Sequence, residues 1–429
     1  MKILIISLEL WADYSNGGNV FSNIFSGVNA TFAQVYCSQG IPHNSLCYQY
    51  LQGTDKSFVK SSLLHKTPWR SFYPASEMSL ERSNCESKDG LKSFFSKFKT
   101  PFFYFSRDVS RCCSSWKNKD LIDFVKQFSP DLIFAPNYSS PFMLKLDRFC
   151  QKVAGVPMVS YISDDNYSLK QLDFSLFFWI HRFWIRKEIR KTMARCSLLY
   201  TMTDEQKNEL QPIFHLPIKI LRKSALMISE PHKFVFGRLS MIYAGGLYNG
   251  RWRTLLHLAK TVVQMKSDGL AAECTIDIFT SCSNKKIVSK LVKCGCRVHA
   301  AVDSERLFDE YRKHDIALHV ESFSKRMALR NRLSFSTKIT DCLSSGCAVL
   351  AICPDSNAGL KFLARNQAAI CVTNKKSLCH AIVSLSNPNV LESYSENALS
   401  LIGNDFKEED NRLRLQADLL SIMNAKNRP

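Results

Sequence analysis

Residues 316–353 read IALHVESFSKRMALRNRLSFSTKITDCLSSGCAVLAIC. The pattern predicts a strand, a basic loop, a helix over 336–345 and a second strand. Arg330, Arg332, Ser334, Ser336, Thr337 and Lys338 gather in the loop and at the helix start. Hydroxyls, free backbone N–H groups and an ammonium meet there at the positive end of a helix, which suits a phosphate. Asp341 follows one turn on, and Gly346 stops the helix. A carboxylate beside phosphate-binding groups suits a sugar or ribose hydroxyl. An ordinary helix start with a capping serine is the alternative reading.

Other candidates also stand at predicted strand ends. Asn16, Gly17, Gly18 and Asn19 follow the first strand and open a helix, where glycines let a phosphate approach the backbone. A plain Gly-Gly turn is the alternative. Gly245 and Gly246 close the first strand of the second half, and Arg251 starts the next helix. A guanidinium there suits a diphosphate; a surface arginine is the alternative. Asp164 and Asp165 end another strand. Paired carboxylates can orient an acceptor hydroxyl, act as a base or hold a metal, or serve as the cap of the long helix that follows. No third ligand accompanies them, so no metal is expected. His319 and Glu321 alternate on one strand and so share a face, near a sugar or as a buried pair.

The chain has 429 residues, enough for two or three cores, and is 45% hydrophobic, which excludes a disordered protein. The first residues, MKILIIS, read as a buried strand and not a signal peptide, because Glu9 interrupts the apolar run. No run of about eighteen apolar residues predicts a membrane span. The 16 cysteines are scattered through predicted elements, which points to reduced thiols. A net charge of +19 calls for an anionic partner.

The elements that must position these residues alternate along the chain. In the second half, strands are expected at 239–245, 274–280, 296–302, 316–322, 348–353 and 368–373, with helices between them. Such a βαβ series predicts an α/β, doubly wound parallel sheet. Ligands of such sheets bind beyond the strands' carboxyl ends, where Gly246 and Lys338 fall. The first half has strands at 2–8, 131–136, 158–163, 197–203 and 218–221, and a long helix at 169–195. Residues 53–117 read as an insertion, 223–233 as the hinge around Pro231, and 405–425 as a charged terminal helix. Segments 94–105 and 174–191 mix aromatic rings with lysines and arginines, as core packing or as an interfacial membrane contact.

Together these residues resemble a GT-B glycosyltransferase of the large, mostly retaining family 4 type. The resemblance implies two Rossmann-like domains facing across a cleft. An acceptor domain over 1–222 and a nucleotide-sugar domain over 223–404 would be followed by a 405–429 helix packing back on the first. Gly17 and Gly18 would be the glycine loop near the donor phosphates, Arg251 the basic residue on the diphosphate, and Lys338, Asp341 and Gly346 the end of the donor motif, with Glu321 as its first acid. The chain departs from the family where Asp341 replaces a glutamate, where Gly246 stands in place of an arginine, and where Asp164 and Asp165 replace a histidine. The implied activity is sugar transfer from a nucleoside-diphosphate sugar to a saccharide or lipid-linked saccharide, without metal or cofactor. It implies a cytoplasmic site at an anionic membrane surface and, by analogy, capsule or O-antigen assembly. A nucleotide-sugar epimerase of the same fold is one rival. A basic nucleic-acid-binding protein is the other, but no nucleic-acid-binding signature supports it.

Overall fold

A computed structural model describes residues 1–13, 16–73, 100–236, 238–270 and 273–426. Among them, β1 (Lys2–Ser7), β2 (Thr31–Tyr36), β3 (Cys47–Gly53), β4 (Trp69–Phe72), β5 (Leu132–Pro136), β6 (Met158–Ile162), β7 (Leu198–Thr201) and β8 (Ile218–Ile220) belong to the first half. They form one sheet in the order β4-β3-β2-β1-β5-β6-β7-β8. The second half holds β9 (Arg238–Ala244), β10 (Glu273–Thr280), β11 (Arg297–Ala300), β12 (Ile316–Val320), β13 (Ala348–Ile352) and β14 (Ile370–Val372), ordered β11-β10-β9-β12-β13-β14. Every pairing is parallel except β3 with β4. Each sheet reverses its order once, at β1/β5 and at β9/β12, and there the carboxyl ends leave a crevice.

The central strands are apolar on both faces because helices cover both. Ile3, Leu4, Ile5 and Ile6 are fully buried, as are Ala348, Val349, Leu350 and Ala351. The strands missed in the sequence lie on the β4 side. Gln34 interrupts β2, yet its amide is used inside, donating to Ser7 Oγ (2.7 Å) and accepting from the Trp11 N–H (3.2 Å). β4 arises within the 53–117 segment, which also supplies the helices Asp55–Leu64 and Pro101–Cys113 and buries Phe58, Trp69 and Phe72. Much of the aromatic segment 94–105 lies outside the described residues.

The long helix spans Leu176–Met193 and begins later than the periodicity predicts. The Asp165 carboxylate holds the preceding chain in a turn, accepting from the Ser168 N–H (2.9 Å) and hydroxyl (2.5 Å). The expected helix over 336–345 is confined to Lys338–Ser344, so Ser336 and Thr337 precede it. The described cysteines are free thiols.

The chain crosses between the sheets twice. The first crossing follows β8, where Ser224 and Asn23 exchange hydrogen bonds of 2.7 and 3.1 Å. The second follows the helix Pro388–Asp405, which packs on β13. A break at Phe406 separates this helix from Glu408–Lys426, which returns to the first half. There Asp418 accepts from Tyr200 Oη (2.8 Å) and Lys219 Nζ (2.5 Å). The crossings touch through Ala225 N–H on the Phe406 carbonyl (3.0 Å). Phe406 is fully buried, 6.3 Å from the Phe335 ring and 5.9 Å from Phe362, with the Arg222 guanidinium 5.9 Å from its centroid. Phe406→Ala should therefore cost about 3–5 kcal/mol, read as a lowered urea midpoint. A loss within the noise of the fit would show that this junction carries no such packing.

Candidate functional site

A cavity of about 1360 Å³ lies between the carboxyl ends of the two sheets. Gly17, Asp164, Asp165, Gly246, Arg251, His319, Glu321, Ser336, Thr337, Lys338 and Asp341 all border it, and Gly18, buried in the first turn of the Asn16–Phe25 helix, does not.

The second-half wall is built at the β9/β12 reversal. Gly245 adopts a φ of 147°, and a Cβ there would collide with the Lys338 side chain. The glycine thus gives the lysine its path into the cavity. Lys338 Nζ lies 5.6 Å from the Tyr243 ring centroid and has no hydrogen-bond or ion-pair partner among the described residues. Burial, reinforced by the nearby Arg251 charge, pushes its pKa down to about 8. Arg251 is not free: its Nε and Nη2 grip the buried Glu321 carboxylate at 2.6 to 3.2 Å. Burial alone would lower the guanidinium pKa, but the Glu321 carboxylate outweighs it and holds it above the ordinary value. Asn331 Nδ2 donates to the same carboxylate at 3.1 Å. His319 is 3% exposed, and burial pushes its pKa down to about 4, so it is neutral at pH 7. Asp341 faces the first crossing, where Lys223 Nζ reaches it at 3.3 Å.

The first-half wall follows β1, β5 and β6. Asp164 is exposed to the cavity and accepts from Ser334 Oγ of the opposite half at 2.7 Å. Asp165 is spent on structure. Besides capping Ser168 it pairs with Arg182 Nη2 (3.2 Å) and with Arg332 Nη2 of the second half (3.0 Å). Arg332 also reaches Glu209 at 2.5 Å. Arg326 pairs with Asp173, and Arg365 with Asp204 and Glu205. Basic groups of one half thus meet acids of the other along a seam beside the cavity.

Lining residues that escaped the sequence reading include Glu9, Arg107, Asn137 and His181. Glu9 packs over Gly17, where any Cβ would collide with its carboxylate. Crowding by the cleft walls, then the Asp164 charge, raise its pKa. Asn137 follows β5 directly and Glu9 stands two residues past β1, so their strand-end positions were a usable signal. Arg107 lay in the segment set aside as an insertion, and His181 in an aromatic run. No group of three or more His, Cys, Asp or Glu among the described residues is placed to hold a metal ion.

No protein-family model matches this sequence, and no curated protein matches it at a significant level. Solved structures match throughout its length. The α,α-trehalose-phosphate synthase (UDP-forming) of Burkholderia vietnamiensis superimposes with a TM-score of 0.60 at 11% identity, covering 100% of both chains. An E. coli trehalose-6-phosphate structure bound with UDP-2-fluoro glucose gives 0.60 at 9% identity, covering 98% of this chain and 99% of that one. A point mutant of S. aureus TarM in complex with fondaparinux, α-GlcNAc-glycerol and UDP gives 0.51 at 12% identity, covering 71% of this chain and 58% of that one. The shared architecture of two Rossmann-like sheets across a cleft is the GT-B fold.

The Arg251–Glu321 pair makes a stability prediction. Arg251→Ala strands a buried carboxylate and should cost roughly 3–5 kcal/mol. Replacing both partners, Arg251→Met with Glu321→Leu, should cost clearly less, since no charge is left unpaired. Urea unfolding of the three proteins tests this, and equal losses in single and double variants would contradict it.

Proposed function

We propose that the protein transfers a sugar, with retention of configuration, from a nucleoside-diphosphate sugar to a saccharide or lipid-linked saccharide. The observation that carries this reading is Lys338. A half-buried ammonium without a counter-ion is costly, and it stands at the strand-end reversal where such sheets bind ligands. A diphosphate would relieve that cost. During transfer the leaving diphosphate gains charge, which a fixed cation stabilises more than it stabilises the bound donor. These protein cations, and not a resident metal, would meet the phosphates in this reading. Arg251, tied to Glu321, contributes through its position and the remaining guanidinium edge. His319, kept neutral, suits a hydrogen bond to a donor hydroxyl. Asp164, and Glu9 beside it, lie on the opposite wall, where a carboxylate can orient an acceptor hydroxyl. Nucleotides or nucleotide sugars bound to solved proteins of the same fold add support.

A thermal-shift screen of UDP-, GDP-, CMP- and dTDP-sugars tests donor binding, with one nucleotide class expected to raise the melting temperature. Lys338→Ala should lower turnover on the order of a hundred- to a thousandfold. Lys338→Arg should restore it only in part, because the planar fork has different reach. Lys338 carries its charge below about pH 8 and loses it above. Donor affinity should therefore fall as pH rises through that value, with proton uptake on binding near pH 8. A flat pH profile, or near-normal turnover of Lys338→Ala, would remove the lysine from this role.

We also propose a peripheral contact with an anionic membrane. No described helix is long and apolar enough to cross one. The start of the Leu176–Met193 helix and the chain entering it are exposed and apolar, with Phe174 at 95% and Leu176 at 70% exposure, followed by exposed Phe183, Lys187, Arg190 and Lys191. Phe102 of the Pro101–Cys113 helix extends this patch, its ring 4.8 Å from that of Phe177. Rings beside cations suit the interface, with about 1 kcal/mol per basic residue near the surface. The protein should sediment with anionic vesicles at low salt and release at high salt. Equal sedimentation with neutral vesicles would rule out the electrostatic part.

A further inference from the structure

The first-half wall holds a second cation to which the proposed function gives no role. Arg107 borders the cavity, and its Nε is buried without a hydrogen-bond partner. Its guanidinium lies 5.2 Å from the Tyr104 ring centroid and has no ion pair among the described residues. The nearby acids are engaged elsewhere. Asp55 pairs with Arg111 at 2.8 Å. Asp108, fully buried, accepts from Ser140 Oγ and meets His181 Nε2 at 2.9 Å. Asp108 thereby fixes the His181 ring, which borders the same cavity. Its Nδ1 makes no hydrogen bond among the described residues.

Asn137 is the independent observation. It stands at the end of β5, is 5% exposed and borders the cavity, yet both its amide atoms are buried without partners. Native structures rarely leave such groups unsatisfied unless a ligand or water completes them. A neutral saccharide could satisfy Asn137 but would leave the guanidinium without an anion. A phosphate monoester suits both: its oxygens accept from the Arg107 guanidinium and the Asn137 Nδ2 amide, and its P–OH can donate to Asn137 Oδ1 or to His181 Nδ1, the Nε2–H of that ring being given to Asp108.

We propose that Arg107, Asn137 and His181 bind the phosphate of a phosphate-bearing acceptor, on the wall that also carries Asp164. The binding site stands on its own geometry; only its role as the acceptor site rests on the sugar-transfer reading. The phosphate can belong to a soluble sugar phosphate or to a lipid-linked one. The adjacent exposed Phe102 and Phe177 offer a path for an apolar chain.

Calorimetric titration in a Lys338→Ala background, which weakens the donor site, separates the two anion sites. The probes are inorganic phosphate, a hexose 6-phosphate, and a short polyprenyl phosphate in detergent against a detergent blank. Each probe that binds should lose roughly tenfold or more in affinity on adding Arg107→Gln, the loss expected for one charge-assisted hydrogen bond. Asn137→Asp, which sets a negative charge against the phosphate, should lose at least as much and serves if Arg107→Gln does not fold. In the Lys338 wild-type background, both variants should keep thermal stabilisation by the nucleoside diphosphate. A preference for the hexose phosphate makes the acceptor soluble, and a preference for the polyprenyl phosphate makes it lipid-linked. Unchanged phosphate affinity in both variants, or no binding of any probe, overturns the proposal. Neither result touches donor binding, which Lys338 tests separately.

Discussion

The arrangement depends on one buried junction between the halves. Asp165 holds Arg182 of its own half and Arg332 of the other, and Arg332 reaches on to Glu209. Charges taken out of water must be matched, because any one left over costs more than the pair returns. The junction therefore sets the approach of the sheets, and with it the width of the cavity. It also accounts for Asp165, whose position at a strand end invites a chemical role but whose carboxylate is occupied on every side. Asp164, one residue earlier, is left to face the cavity. The turn between them, held by Ser168, sends one carboxylate inward and the other toward the opening.

Within the cavity, charge is distributed unevenly. Lys338 stands at one wall and Arg107 at the other, each short of a counter-ion, while Glu9 and Asp164 crowd each other on the first-half wall. Two anionic groups, one on each wall, would match the cations and bring their sugar-bearing ends toward the carboxylates. The fold alone does not specify this, since many chemistries share it. In the proposed reading the unmatched side chains supply what the fold does not, because their cost is local and a particular ligand charge would remove it.

The sequence disclosed what repeats and concealed what pairs. Strands such as β1, β9 and β13 are legible because helices on both faces force continuous apolar runs, and their ends place Gly246, Arg251, Glu321 and Lys338 on one rim. β2 was illegible because Gln34 breaks its apolar pattern while satisfying a buried loop. β4 was illegible because its four residues depend on an antiparallel partner. The start of the Leu176–Met193 helix was set by the carboxylate turn at Asp165 and not by periodicity. That Arg251 is committed to Glu321 could not be read across 70 residues of sequence. Nor could Asp108 orienting His181, since no local pattern links a residue near position 108 to one on a distant helix.

The two crossings have a mechanical consequence. A single linker allows the bodies it joins to bend and also to twist about its own bonds. Here two crossing segments run side by side, joined by Ala225 and Phe406, with the Phe335, Phe362 and Phe406 rings and Arg222 filled in around them. Twisting would shear one segment past the other and break that packing, whereas bending leaves both in register. Any relative motion of the halves would thereby be reduced toward a single rotation, in which every residue traces an arc about the same axis. Groups near the joint, such as Lys223 and Asp341, move little, and those farther along the rim sweep the most. The end of the cavity beside the joint would then keep its geometry, and any change in width allowed by the buried junction would fall at the far end.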